Sequence, residues 1–208
     1  VQGDFSLLTG KRNRISAFLL LSDLGYRTPG GLTLAQQDAN PQQARPATPF
    51  LFFFEEQKAG IYNQTALVGL SDTYRLSNQW NMVLAGTAAF TGFKNPFITN
   101  YEKRSETNLG LRAKFTYKGN WGRVGVRWIS GLEWQNGYYT IDSTGNNKGV
   151  PDANLVRDDV KANQQFLFTQ AEFQLTPKFL LQAGISVNDF SYQLERVIGN
   201  PQSGEIPV

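Results

Sequence analysis

Apolar and polar residues alternate over long stretches of this sequence, and this alternation restricts the fold more than any other feature. Between residues 109 and 117 every second residue is apolar, and the residues between them are small or polar. The same period of two runs through residues 124–135, 167–175 and 179–188. Successive side chains of a β-strand point to opposite faces, so each segment is predicted to be a strand with one apolar and one polar face.

Weaker alternation predicts further strands at residues 3–9, 14–23, 61–73 and 82–93, which brings the expected number to about eight. No segment shows a convincing helical period. The alanine-rich stretch at 36–44 leaves room for a turn of helix at most, because prolines at 41 and 46 bracket it closely.

The predicted connections alternate between short and long. Tight turns are expected at residues 9–13, 74–79, 118–120 and 176–178, and long loops at residues 24–60, 94–106 and 137–164. Short turns on one side and long loops on the other are typical of an up-and-down barrel in a membrane. The clearest alternating segments run about nine to eleven residues, the length that a tilted strand needs to cross a bilayer.

Aromatic residues concentrate near both ends of the predicted strands. Those near the short turns are Tyr74, Trp80, Tyr117, Trp121, Phe173 and Phe179. Those near the opposite ends are Phe90, Phe93, Trp134, Tyr138, Tyr139, Phe190 and Tyr192. Two such bands are expected at the two interfaces between lipid and water. The predicted fold class is therefore all-β, an antiparallel up-and-down transmembrane β-barrel segment.

Composition argues against catalysis. The 208 residues include no histidine and no cysteine, which removes the commonest general base, the cysteine nucleophile and the usual ligands of zinc. The acidic residues in the long loop at 137–164 match no standard calcium-binding spacing. Twenty basic residues against 17 acidic ones are too small an excess for nucleic-acid binding. We expect no enzymatic activity, no catalytic residue, no bound metal and no cofactor.

Several loop phrases of the sequence are similar to those of a known family. They are Tyr26-Arg27-Thr28-Pro29-Gly30-Gly31-Leu32-Thr33, Asn40-Pro41, Ala44-Arg45-Pro46-Ala47-Thr48, Ala59-Gly60-Ile61-Tyr62-Asn63, Phe93-Lys94-Asn95-Pro96-Phe97-Ile98-Thr99-Asn100-Tyr101-Glu102 and Asp158-Asp159-Val160-Lys161-Ala162-Asn163-Gln164. In these phrases, over residues 25–192, the chain resembles TonB-dependent outer-membrane receptors of the ferric-siderophore and iron-dicitrate type, as in Bacteroidetes.

The resemblance implies a barrel of about 22 strands with a plug in its lumen, which imports a ferric chelate with energy relayed by TonB. Neither a plug nor a TonB box is recognisable here, so residues 1–208 are expected to form a partial β-barrel domain without the plug and the remaining strands. The expected location is the bacterial outer membrane. The expected partners are outer-membrane lipid, the TonB protein and plug domain of the full receptor, and a ferric-siderophore-type molecule as transported ligand.

Candidate site residues follow from this placement. The loop at 24–60 would lie outside the cell, where Arg27, Gln36 and Arg45 are candidates to contact an anionic ferric chelate, since a guanidinium group matches the geometry of carboxylates. A second set of charged residues is predicted to lie on polar strand faces and to face the lumen. This set consists of Arg112, Lys114, Arg123, Arg127 and Glu133.

Two other interpretations remain open at this point. A complete small outer-membrane barrel, acting as a pore or a structural protein, would pair the strand at 3–9 with the segment at 179–192. A soluble carbohydrate-binding β-sandwich would bury Val124, Val126 and Trp128 between two sheets.

Overall fold

The computed structural model describes residues 1–8, 10–47, 53, 55–199 and 203–207. Thr9, at the end of a predicted strand, lies outside the described residues. So do Thr48, which belongs to one of the family-like phrases, and positions 49–52 and 54 of the predicted loop 24–60. The strands are β1 Gln2–Leu8, β2 Asn13–Arg27, β3 Gly60–Arg75, β4 Trp80–Pro96, β5 Asn100–Trp121, β6 Val124–Asn147, β7 Val150–Thr176, β8 Phe179–Ile198 and β9 Ser203–Pro207. One short helix, α1 Leu34–Ala39, lies between β2 and β3.

All nine strands form one antiparallel sheet in which each strand pairs with its neighbours along the chain. Across residues 1–8, 10–47, 53, 55–199 and 203–207, β1 pairs only with β2, and β9 only with β8. The sheet is therefore open in the described residues, and it has no second sheet against it. Neither the closure expected of a small complete barrel nor the two layers of a sandwich is present there. No helix in that part of the chain is long and apolar enough to cross a membrane.

The register confirms the faces predicted from the alternation. Residues that lie opposite each other in an antiparallel pair share a face, and one such row runs Ala113, Leu132, Leu167 and Val187 across four strands. Leu167 and Val187 in this row are 58% and 63% exposed in the isolated chain. We call this side of the sheet the apolar face and the other the polar face. A continuous exposed apolar surface of this kind is stable in lipid and not in water.

Two rows of residues bound the apolar face. The register aligns Trp80, Tyr117 and Trp128 near the short turns, with ring centroids 5.1 Å apart for Trp80 and Tyr117 and 6.0 Å apart for Trp80 and Trp128. It aligns Phe90 and Tyr138 on either side of one β5 residue near the opposite ends. Ten residues along β4 rise about 33 Å, or about 25 Å along the membrane normal for strands tilted by about 40°. That height matches the apolar band of an outer-membrane barrel.

Two of the three predicted long loops are wrong. The predicted loop at 94–106 is mostly strand, because β4 continues to Pro96 and β5 begins at Asn100. The predicted loop at 137–164 is a strand hairpin that turns at Lys148 and Gly149, whose φ angles of 54° and 81° suit a tight two-residue turn. Beyond the membrane both faces of a strand are wet, so the strands continue without the alternation from which they were predicted.

Strands β2 to β8 are accordingly longer than expected, from 15 residues in β2 to 27 in β7, and the extra residues project past one edge of the apolar face. At the other edge, the turn predicted at 118–120 instead lies at residues 122–123, where Gly122 has a φ of 64°. Turns at the remaining short connections lie where the sequence predicts them. We call the edge with the long projections the external end, in keeping with the loop asymmetry of membrane barrels.

Candidate functional site

The external end carries the best-buried part of the chain. Among the described residues, Gln57 is 2% exposed, Ala59 1% and Ile98 3%, and the ring of Tyr101 is buried beside them. With Asn146 these residues form what we call the external cluster. It joins the end of the β2–β3 connection to the tips of the β4–β5 and β6–β7 hairpins, which are distant from one another in sequence.

Two amide side chains hold the external cluster together. The Nδ2 of Asn146 donates to the backbone oxygen of Gln57 at 2.9 Å and also to that of Phe97. The Oδ1 of Asn146 accepts from the backbone N–H of Gly149 at 2.8 Å. The Oε1 of Gln57 accepts from the backbone N–H of Lys148 at 2.9 Å. Gln57 is buried and Asn146 is partly buried, and these hydrogen bonds make the three connections one ordered surface.

The three residues predicted to contact the ligand are separated along the chain: Arg27 is at the end of β2, and Gln36 and Arg45 lie in the β2–β3 connection. Arg27 is the last residue of β2 and is exposed. Arg45 donates its backbone N–H to Pro29 at 2.7 Å, which folds the connection back on itself. Gln36 has a structural role, because its Oε1 accepts from the Thr33 N–H at 2.9 Å and completes a capping box at the start of α1.

Four of the five charged residues predicted for polar strand faces lie there. Arg112 and Glu133 are opposite each other on β5 and β6, and the Nε of Arg112 lies 3.0 Å from a carboxylate oxygen of Glu133. Arg127 forms a similar pair with Glu172 of β7 at 3.2 Å, and Lys114 is on the same face of β5. Arg123 is the exception: it lies in the two-residue turn between β5 and β6, because β5 continues to Trp121.

The polar face also carries a cavity lined by aromatic residues, which the sequence predicts only as members of an interface band. Phe190 and Tyr192 meet edge to face at 4.4 Å, and the hydroxyl of Tyr139 donates to Asn108 at 2.7 Å. They line a cavity of about 530 Å³ whose floor includes Gly110. Phe190 and Tyr192 are two residues apart and so share a face, and their parity along β8 is opposite to that of Val187 on the apolar face. This alternation is the signal that distinguishes them from lipid-facing aromatic residues.

Some of the charged groups at the external end form ion pairs. Arg196 of β8 holds Asp158 of β7 with two parallel bonds of 2.7 and 2.9 Å, and this hydrogen bonding lowers the pKa of the Asp158 carboxyl. Asp159 accepts from Thr140 at 2.8 Å. Burial, with a smaller contribution from Tyr62, raises the pKa of the Tyr101 hydroxyl. In the described part of the chain, no three acidic side chains converge as a metal site.

The external cluster was not found by sequence reasoning. Its members come from three connections, and nothing in their local patterns distinguishes Gln57 or Asn146 from other loop amides. The Lys148-Gly149 dipeptide was the one available signal, since glycine in the second position of a two-residue loop is typical of a hairpin turn.

The open sheet with its apolar band defines the chain as a segment of a transmembrane β-barrel. Comparison of the sequence with family models and with curated proteins gives no match. Comparison of the structure gives clear similarity to receptor barrels. The unliganded ferric citrate transporter FecA superposes with a TM-score of 0.82 at 12% identity, over 99% of this chain and 32% of that one.

Other solved structures give the same result. The open form of the ferric-catecholate import receptor Fiu from E. coli K12 superposes with a TM-score of 0.70 at 10% identity, over all of this chain and 41% of that one. The ferric yersiniabactin uptake receptor FyuA from Yersinia pestis gives 0.64 at 14% identity, over 95% of this chain and 30% of that one. The chain thus spans about a third of these receptors, and its resemblance to TonB-dependent receptor barrels is confirmed at the level of the fold.

Proposed function

We propose that this chain is part of the barrel of a bacterial outer-membrane receptor that imports a ferric siderophore or ferric citrate in a TonB-dependent manner. The observation that carries the proposal is the superposition of 99% of the chain on a ferric citrate transporter with a TM-score of 0.82. A membrane cannot hold the open edges of the sheet, since unpaired backbone groups in hydrocarbon cost several kcal/mol each. In the proposed receptor further strands complete the barrel, and a plug domain occupies its lumen.

The two faces of the sheet then have different roles. The apolar face contacts lipid, and the polar face lines the lumen, where Arg112, Lys114, Arg127 and Glu133 contact the plug or the passing anion. Of these four residues, Arg112 pairs with Glu133 and Arg127 pairs with Glu172, whereas Lys114 has no carboxylate within ion-pair distance among the described residues. Arg123 lies in the turn between β5 and β6, at the end of the sheet opposite the external end, so in this proposal it lies outside the lumen.

Ligand capture belongs to the external end in this proposal. The external cluster holds three connections in fixed positions, which lowers the ordering cost of binding. Arg27 and Arg45 supply guanidinium groups for a ferric chelate that carries carboxylates. Gln36 contributes by capping α1 rather than through a free amide. The chelate is cargo, and the transport step makes and breaks no covalent bond.

The test is iron uptake by cells that depend on this receptor in its natural full length. We expect uptake of a radiolabelled ferric chelate, either ferric citrate or a siderophore complex, and loss of that uptake when the gene for TonB is deleted. Uptake that persists without TonB would instead identify a passive pore and contradict the proposal.

A matched pair of variants tests the ligand contacts. Arg27→Gln with Arg45→Gln should weaken binding of the chelate at the cell surface by about 10-fold or more, as expected when charge-assisted contacts are lost. Lys11→Gln with Arg12→Gln makes the same change of charge in the turn at the opposite end, and should leave binding unchanged. Equal effects of the two pairs would remove the ligand role from Arg27 and Arg45.

A further inference from the structure

A cluster of lysines lies on the external part of the apolar face. Lys58, Lys94 and Lys103 line one cavity of about 610 Å³, together with the rings of Tyr62 and Tyr101. Lys94 and Lys103 come from adjacent strands, β4 and β5, and Lys58 from the end of the β2–β3 connection. Two strands and one loop therefore bring three cations to one cavity.

The arrangement of these lysines is unfavourable without an anion. Lys94 and Lys103 are directly opposite each other in the register of β4 and β5, a position in which like charges destabilise a sheet. Lys58 has a φ of 51°, an uncommon conformation for a residue other than glycine. Its side-chain stem lies against Gly149, where an added Cβ would come within 2.6 Å of the Lys58 Cδ. The backbone and the neighbouring turn thus hold the third cation at the cavity.

The two acidic residues of the lining, Asp142 and Asp23, have nearer partners than the lysines, although Asp142 is opposite Lys103 in the register of β5 and β6. Asp142 lies 3.7 Å from the Nε of Arg157, and Asp23 accepts a hydrogen bond from Gln64 at 3.3 Å. The remaining cation of the lining, Arg104, is paired with Glu102. Among the described residues none of the three lysines has a carboxylate within ion-pair distance, and Lys103 instead lies over the ring of Tyr101 at 5.7 Å.

The position of the cavity identifies the source of the missing anion. Lys94 lies four residues beyond Phe90 on the same face of β4. Four residues rise about 13 Å along the strand and about 10 Å along the membrane normal, which places the ammonium groups in the headgroup layer. Because this face continues the lipid-facing surface, a group that reaches the cavity comes from the bilayer rather than from the lumen.

We propose that Lys58, Lys94 and Lys103 bind the phosphate of a lipid headgroup in the external leaflet. The phosphate would neutralise the opposed Lys94–Lys103 pair and accept charge-assisted hydrogen bonds from all three ammonium groups. Basic pockets at this level of a membrane protein are suited to anionic headgroups. The bound lipid would hold the β2–β3 connection against β4 and β5, and so support the external end from outside the barrel.

The test compares thermal unfolding of the protein, in its natural full length, in nanodiscs of phosphatidylcholine with and without phosphatidic acid. We expect phosphatidic acid to raise the Tm of the wild type, because a ligand that binds the folded state alone stabilises it. The variant Lys94→Gln with Lys103→Gln should gain nothing from phosphatidic acid. In phosphatidylcholine alone it should be at least as stable as the wild type, because the opposed charges have been removed. An equal gain in the variant and the wild type would overturn the proposal.

Two further comparisons separate the site from general charge effects. Lys118→Gln with Lys178→Gln makes the same change of charge on the polar face and in the turn between β7 and β8, and should keep the full gain. Loss of the gain in this control would overturn the assignment to the cavity. If the double variant in the cavity does not fold, Lys58→Gln alone should lose part of the gain, and an undiminished gain would count against the site.

A final arm distinguishes the source of the phosphate. Inorganic phosphate added to the wild type in phosphatidylcholine nanodiscs is expected to leave the Tm unchanged, because the cavity opens toward the bilayer. A rise equal to that from phosphatidic acid would assign the cavity to soluble phosphate and overturn the lipid assignment.

Discussion

Replacement of Asn146 by alanine should release the external end without unfolding the membrane-spanning sheet. The change removes the hydrogen bonds from Nδ2 to the oxygens of Gln57 and Phe97 and the bond from the Gly149 N–H to Oδ1. At about 0.5–1.5 kcal/mol each, the loss sums to about 1.5–4.5 kcal/mol. Since 1.4 kcal/mol corresponds to a factor of ten, local opening should become roughly 10-fold more frequent or more.

Hydrogen–deuterium exchange measures this opening at individual amides. The amides to follow are those of Phe97, Lys148 and Gly149, which lie at the tips of the two hairpins and donate to Asn100, Gln57 and Asn146, respectively. Asn147→Ala is the matched control, because Asn147 is exposed at the same tip and its side chain makes no hydrogen bond within the described residues. Unchanged exchange in the Asn146 variant, or an equal increase in the control, would refute the assignment of this cluster as the element that orders the external end.

Two further predictions concern the strands themselves. Gly131→Ala should lower the free energy of unfolding by about 1–3 kcal/mol, since the new methyl would lie 2.6 Å from the Phe168 ring and 2.8 Å from the backbone oxygen of Ala113 in β5. Gly92→Ala is the control, because its methyl would meet open space, and it should change the free energy of unfolding by less than about 0.5 kcal/mol in the same denaturant titration. Asp158→Asn should destabilise the protein at neutral pH, because the lowered pKa of this carboxyl stabilises the folded state above its unfolded pKa of about 3.9. That contribution is lost as the pH falls through the folded-state pKa, so wild type and variant should have equal Tm values in strong acid, and a difference that persists there would contradict the role of the ion pair.

The sequence predicts the sheet where the two faces of a strand meet different solvents. Leu111 and Arg112 are assigned to opposite faces by alternation alone, and the register confirms both. Alternation is lost where both faces of a strand meet water, so the sequence predicts loops at the strand extensions around Asn100 and Asn147. Length and composition do not reveal these extensions, because their cross-strand hydrogen bonds stabilise them without an apolar face.

The candidate site depends on contacts that are remote in sequence. Gln57 and Asn146 are 89 residues apart, and their hydrogen bond forms only because the sheet brings three hairpin ends together. The opposed Lys94 and Lys103 are closer in sequence, yet they become neighbours only once the register of β4 and β5 is known. Residue types alone therefore suggest a basic external surface, whereas the pairing of strands creates the lysine cavity.

The central claim is that the apolar face lies in lipid and the polar face in a wet lumen. The chain contains no cysteine, so single cysteines at successive positions from 109 to 116 of β5 can each carry a spin label without background. In nanodiscs, collision with oxygen reports lipid and collision with a water-soluble nickel chelate reports water. We expect oxygen contact to dominate at 109, 111, 113 and 115 and nickel contact at 110, 112, 114 and 116. Uniform accessibility, or the opposite alternation, would contradict the account.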